Sequence, residues 1–337
     1  MPLHSPSQAS QSKLPIPDFA VELSGLEKTY KGNKRSGPKH ALNGIDLQIP
    51  LGSVFGLLGP NGAGKSTLIN ILAGLVIKTA GTAKIWGIDI DQDPRQARAA
   101  IGVVPQELNI DAFFTPREML EVQAGMFGVP PSERRTDEIL ETVGLTDKAH
   151  AYSRSLSGGM RRRLLVAKSM VHNPPILVLD EPTAGVDVEL RRKLWDTVED
   201  LNAHGVTVLL TTHYLEEAEA LCDRIAIINH GEVIACDTTR NLVGRLDGKE
   251  LFVEVEETLT ELPASLQTHG FTLRDDGRLH VTYRRGRVKV ARLLGAVQAA
   301  GLHVVDLETR QSDLEDVFVA LTSADGHHDD LTSGHAA

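Results

Sequence analysis

One octapeptide constrains this chain more than any other: "GPNGAGKS", Gly59 to Ser66. The apolar run Val54–Leu58 leads into it, and Leu68, Ile71, Leu72 and Leu75 recur behind it at helical spacing. A strand, a glycine-rich turn and a helix in that order make a nest of inward-facing backbone N–H groups, with the positive end of the helix behind them. Such a nest holds phosphate. The spacing G-x-x-x-x-G-K-S lets Lys65 reach the β- and γ-phosphates and the Ser66 hydroxyl ligate Mg²⁺. The stretch Gly59, Pro60, Asn61, Gly62, Ala63, Gly64, Lys65, Ser66 and Thr67 is therefore the expected nucleotide-binding loop. By itself it leaves kinases, GTPases and ATPases open.

A second acidic site narrows the choice. "SVFGLLG" (53–59), "ILVLDE" (176–181) and "VTVLLTTH" (206–213) are nearly unbroken apolar runs, as strands buried on both faces require. Asp180 ends the second of them, where a carboxylate can hold Mg²⁺. Glu181 follows at once and is placed to polarise an attacking water, a general-base role worth about 10²–10⁴-fold. "IAIINHGEVIA" (225–235) reads as two strands joined by a tight turn at Asn229, His230 and Gly231.

From residue 19 to about 240 strands and helical patterns alternate, which is an α/β signature. After "LDGKE" (246–250) the character changes. "LFVEVE" (251–256) and "RLHVTYR" (278–284) alternate like half-buried strands, and "VKVARLLGAVQAAG" (288–301) has helical periodicity. "LHVVDLE" (302–308) reads as a further strand. Ser312 and Glu315 form a capping box ahead of a last helix, "SDLEDVFVALT". The expected organisation is a mobile tail (1–18), a nucleotide-binding domain (19–240), a small α+β accessory domain (249–322) and a second mobile tail (323–337).

The net charge of −10 argues against a dedicated nucleic-acid binder, and no nucleic acid is expected as a partner. Cys222 and Cys236 form no C-x-x-C pattern, so a reducing compartment is expected. No apolar run approaches the roughly 18 residues that span a bilayer, and residues 1–18 lack the apolar core of a signal peptide. A cytoplasmic location follows as an expectation, with any membrane anchor supplied by another chain.

"LSGGM" (156–160) then lies between the phosphate loop and "ILVLDEP", with "VVPQ" ahead of it and "LLTTH" after it. That ordered set resembles the nucleotide-binding domain of the ABC ATPases, over roughly residues 19–240. The resemblance implies a P-loop NTPase fold of ABC type, with an antiparallel β-subdomain and an α-helical subdomain. It implies ATP and Mg²⁺ as ligands and a head-to-tail dimer of ATP-binding subunits. In that dimer Ser157, Gly158 and Gly159 cap the ATP held by the partner, using free N–H groups at a helix start. It makes Gln106 a ligand of Mg²⁺ or of the attacking water, beside Ser66 and Asp180. It makes His213 the contact to the γ-phosphate, Tyr30 the ring that stacks on adenine, and Asp187 a residue of the dimer interface. Arg161, Arg162 and Arg163 are expected mostly on the solvated face of the helix.

Met160 stands where the commonest signature has Gln, and Ala184, Gly185 and Val186 precede Asp187 where S-x-L is usual. The "SGGMxRR" form and the final "DLEDVFVALT" resemble ABC-2-type exporter ATPases, the group of drug-efflux, Nod-factor and polysaccharide exporters. An integral-membrane permease is then the expected partner, met by the surface at residues 107–130. The ATPase dimer is a homodimer or a heterodimer; one chain carries every motif. A soluble ABC ATPase acting on DNA or the ribosome is the alternative. It is disfavoured because no cysteine lies between Lys65 and Ser157, and because the motifs occur once. A small-molecule P-loop kinase would leave the "LSGGM" loop idle.

Overall fold

In the computed structural model the unbroken apolar runs become the middle of a six-stranded sheet. Residues 16–32, 37–107, 109–183, 188–245, 248–259, 261–274, 276–284, 289–311 and 314–322 are described. The chain divides into two units, Met1–Thr239 and Arg240–Ala337.

The first unit holds two sheets. β1 (Phe19–Tyr30), β2 (Lys39–Pro50), β4 (Ala80–Ile85) and β5 (Ile88–Asp89) form an antiparallel sheet in the order β2-β1-β4-β5. β3 (Val54–Leu58), β6 (Ile101–Val104), β7 (Ile176–Asp180), β8 (Thr207–Thr211), β9 (Arg224–Asn229) and β10 (Glu232–Thr238) form the larger sheet, ordered β10-β9-β3-β8-β7-β6. Its pairings are parallel except at the β9–β10 hairpin. Every residue of β3 and β8 is buried, which is why their sequences show no alternation. The hairpin turns through His230 (φ 46°) and Gly231 (φ 81°), as the sequence predicted.

The helix after the phosphate loop, α1 (Lys65–Leu72), places Leu68, Ile71 and Leu72 in one core with Ile45, Leu47, Phe55 and Leu57. Burying each such side chain stabilises the fold by about 1.5–3 kcal/mol. The helix is shorter than its apolar spacing suggested. Gly74 takes φ 71°, and the Leu75 and Val76 N–H groups donate back to Asn70 O, so Leu75 leaves the helix and stays exposed. α2 (Pro94–Ala99) leads into β6 and is capped by Asp93.

Between β6 and β7 the chain forms α3 (Pro116–Met126), α4 (Thr136–Thr142) and α5 (Gly158–Met170). They share a separate core that includes Leu120, Ile139, Leu140, Leu145, Leu156 and Leu164. Thr115 and Glu118 form a full capping box at the start of α3. α6 (Val188–Ala203) and α7 (Leu215–Leu221) complete the helices of the first unit, and α8 (Thr239–Arg245) begins at the unit boundary and belongs mostly to the second.

The second unit pairs β12 (Thr272–Leu273), β13 (Leu279–Arg284), β11 (Gly248–Val255) and β14 (Val304–Gln311) antiparallel in that order. α9 (Ala264–Gln267) and α10 (Val290–Ala299) bring Leu266, Leu293 and Val297 onto Leu251, Val253, Leu279 and Val281. α11 (Leu314–Thr322) ends the described chain. Ser312, the expected cap of that helix, lies outside the described residues, as do 1–15 and 323–337 of the expected tails.

Candidate nucleotide site

The phosphate loop closes on itself through Lys65. This lysine is 6% exposed, and its Nζ donates to Gly59 O at 2.6 Å and Pro60 O at 3.2 Å. A buried ammonium needs acceptors in place of water, and the loop's own carbonyls supply them. Burial pushes the Lys65 pKa down, while Glu181 and Asp180 hold it up. Gly64 caps α1 with φ 113°, and a Cβ there would lie 2.6 Å from Ala41 O. The Tyr30 ring is exposed, its hydroxyl 3.5 Å from Thr67 Oγ1, and the Lys28 ammonium lies 4.8 Å from the ring centroid.

Asp180 stands at the end of β7, with Thr211 from the neighbouring strand donating to its Oδ1 at 2.6 Å. Burial raises the Asp180 pKa, and the Thr211 bond opposes that rise. The strand stops there because Glu181 takes φ 46°, a left-handed conformation that costs a non-glycine residue about 1–3 kcal/mol. The turn is held by its own amide: Glu181 N donates to both Thr211 O (3.1 Å) and Thr211 Oγ1 (3.0 Å).

The turn brings Glu181 to two of the other predicted residues. Gln106 Nε2 donates to Glu181 Oε2 at 2.9 Å, and His213 Nδ1 lies 3.3 Å from the same oxygen. Residues from the ends of three parallel strands, β6, β7 and β8, thus converge on one carboxylate. The Ser66 hydroxyl, the Asp180 carboxylate and the Gln106 amide oxygen are hard oxygen donors, the set that suits Mg²⁺.

The loop bearing His213 has a support that motif reading missed. Thr212 Oγ1 donates to Glu217 Oε2 at 2.9 Å and accepts from Tyr214 N at 2.9 Å. Glu217 is 1% exposed. Arg191 lies 3.4 Å from Glu217 Oε1 and 4.9 Å from the Tyr214 ring. Polar residues in "TTH" and a glutamate in the next helix were the available signal, but only the fold shows that they meet.

Ser157 is the N-cap of α5, its hydroxyl accepting from Met160 N at 3.2 Å. Ser157 and Gly158 are exposed and Gly159 is buried. Asp187 lies outside the described residues. The arginines that follow the turn correct the sequence expectation of a mostly solvated run: Arg162 is buried, Arg161 and Arg163 are half-buried, and all three guanidinium groups donate to main-chain carbonyls. Arg161 Nε donates to Leu156 O, Arg162 Nη1 to Pro105 O and Gln106 O, and Arg163 Nη1 to Val143 O and Gly144 O. Backbone carbonyls at loop and helix ends lack ladder partners, and the forked guanidinium is well shaped to supply them.

A family model described as ABC transporter matches residues 42–184. The chain is 38% identical over 328 residues to a daunorubicin resistance ATP-binding protein of Streptomyces coeruleorubidus, covering 95% of this chain and 99% of that one. The chain belongs to the ABC transporter ATP-binding proteins. This ABC ATPase is also 36% identical over 310 residues to a linearmycin resistance ATP-binding protein of Bacillus subtilis, covering 90% and 98% of the two chains. It is 37% identical over 316 residues to Nod factor export ATP-binding protein I of Cupriavidus pinatubonensis, covering 93% and 94%. Among solved structures it resembles a dimeric ATP-binding cassette in a post-hydrolysis state with ADP and Pi. That match has 30% identity and a TM-score of 0.58, over 65% of this chain and 98% of the other. The ABC ATPase therefore binds and hydrolyses ATP as a transporter's ATP-binding subunit. Among the described residues, no helix is long and apolar enough to cross a membrane.

Proposed function

We propose that this chain is the ATPase subunit of an ABC-2-type exporter, working as a head-to-tail dimer beneath a separate integral-membrane permease. The observation that carries the hydrolytic reading is the convergence of Gln106 and His213 on Glu181 Oε2, beside Asp180 and the Lys65 loop.

Gly59 to Thr67 cradle the phosphates, and Lys65 exchanges its loop carbonyls for phosphate oxygens. Tyr30 stacks on the adenine. Ser66, Asp180 and Gln106 would hold Mg²⁺, which would supply charge neutralisation to the phosphates. Glu181 takes the proton of the attacking water, with Gln106 and His213 fixing its carboxylate; His213 also meets the γ-phosphate. Ser157, Gly158 and Gly159 cap the partner's ATP, and Asp187 lies at the same seam. With every motif on one chain, a homodimer is the simplest assembly, and a heterodimer would use the same contacts.

Export is supported by relatives that match over nine-tenths of the chain, second unit included, and whose names are those of drug-resistance and Nod factor export proteins. Residues 107–130 are the proposed permease contact. Phe113 and Met126 are 73% and 78% exposed there, and exposed apolar side chains of this kind support a partner-binding role for the segment. The subunit would then sit on the cytoplasmic face of the membrane through that permease, which selects the cargo.

The test is the size of Glu181→Gln with and without ATP-Mg²⁺. Loss of the base with the phosphate site intact should trap a nucleotide-bound dimer; an unchanged monomer would overturn the proposal. Turnover should also rise when the permease is added to the wild-type subunit.

A further inference from the structure

Arg162 is a charged side chain with 4% of its surface exposed. Its Nη1 donates to two successive carbonyl oxygens, Pro105 O at 3.0 Å and Gln106 O at 2.8 Å. Those carbonyls follow the end of β6 and belong to no helix or strand. The arginine itself stands in the first turns of α5, the helix that Ser157 caps. Gln106 passes the contact on, its Nε2 donating to Glu181 Oε2 at 2.9 Å. A continuous chain of short contacts therefore runs from the signature helix, through the main chain of Gln106, to the carboxylate that activates water.

We propose that Arg162 is a positioning residue: it holds the Gln106 loop to the signature helix and so sets the Gln106–Glu181 contact on which hydrolysis depends. The inference rests on the roles of Gln106 and Glu181 given above. Its neighbours in the run do a different job. Arg161 closes on Leu156 O at the start of its own helix, and Arg163 closes on Val143 O and Gly144 O just after α4. Arg162 alone of the three donates to the loop that carries a residue of the nucleotide site. A two-carbonyl clamp stays within hydrogen-bond range over only a few tenths of an ångström. A shift of α5 relative to β6 must therefore move the Gln106 loop or break the clamp. The helix whose first turn would face a partner's nucleotide is thereby geared to the chain's own water-activating group.

The experiment is a double-mutant cycle on the full chain, with ATP turnover and the affinity for a fluorescent ATP analogue measured for R162A, Q106A and R162A/Q106A. R162A should lower kcat about tenfold, as a misplaced orienting group does, with affinity for the analogue measured without Mg²⁺ unchanged, because Gln106 reaches the nucleotide only through the metal or the attacking water. The double variant should be no slower than Q106A alone, because Arg162 acts through Gln106. R162M, which fills the same space without a buried charge, carries the same cycle if R162A fails to fold. Two losses that multiply would place the effect of Arg162 elsewhere and overturn the inference. So would wild-type turnover in R162A and R162M beside a slow Q106A. A Q106A variant that hydrolyses like wild type would instead remove the reading of Gln106 beneath it.

Discussion

Thr212 donates its hydroxyl proton to Glu217 across 2.9 Å, with both residues at 1% exposure. The same hydroxyl accepts from Tyr214 N at 2.9 Å, so one oxygen ties down the residues on either side of His213. Thr212→Val keeps the shape and loses both bonds. It leaves a buried carboxylate oxygen unpaired, at a cost of about 1–3 kcal/mol that a melting curve will read. Turnover should fall about tenfold with nucleotide affinity kept, since the group displaced orients the reacting centre. Thr212→Ser should stay close to wild type in both measurements. Equal turnover in the Val and Ser variants would show that His213 is held by something else.

Ser157→Arg should keep ATP binding and lose hydrolysis, by about a hundredfold, the scale of losing a donor that stabilises the transition state. Loss of the N-cap bond to Met160 N adds about 1 kcal/mol of instability, too little to unfold the chain. Saturation binding and steady-state turnover on one preparation separate the two effects. Full turnover would mean that this turn does not cap a partner's nucleotide.

Gly64→Ala should weaken ATP binding and lower the melting temperature together. The position holds φ 113°, and the added methyl would meet the Ala41 carbonyl, which is main chain and cannot swing aside. Strain of about 1–3 kcal/mol is expected. Calorimetric titration with ATP is the check, and wild-type affinity would contradict the geometry.

His172 should make the protein acid-sensitive. Burial lowers its pKa to about 4, opposed by a hydrogen bond to Ile101 O, and its ring stacks on Phe127 at 3.8 Å. The folded state thus resists a proton that the unfolded chain accepts near pH 6.5. Stability is complete above that value and declines as pH falls from about 6.5 towards 4, by about 2 kcal/mol at pH 5. His172→Leu should shrink the difference in melting temperature between pH 7.5 and pH 5. The pH difference within each variant cancels the lost stacking, so an unchanged gap would exonerate His172.

Much of the site was legible because its chemistry is local. The loop from Gly59 to Ser66 needs its residues in consecutive order, since neighbouring amides must point at one anion. Asp180 and Glu181 could be found because a carboxylate at the end of an apolar strand is costly without a task. Three strands of the larger sheet, β3, β7 and β8, announced themselves by lacking alternation, and the β9–β10 hairpin by His230–Gly231; β6 was not read as a strand. The antiparallel sheet of β1, β2, β4 and β5 was less visible, because its register shifts break the period-two pattern.

What the sequence by itself determined is therefore the phosphate nest, the acidic strand end and the order of motifs, all of which rest on contacts between near neighbours in the chain. Only the tertiary structure decided that Gln106 and His213 meet on a single oxygen of Glu181, that Glu217 braces the His213 loop, and that Arg162 is buried against the Gln106 carbonyls. The Gln106, His213 and Arg162 contacts join residues far apart in sequence, the Thr212–Glu217 bond spans five residues but depends on how α7 leaves its loop, and a run of arginines looks alike whether it faces water or backbone. Its role depends on which carbonyls the packing of α5 against β6 leaves without partners.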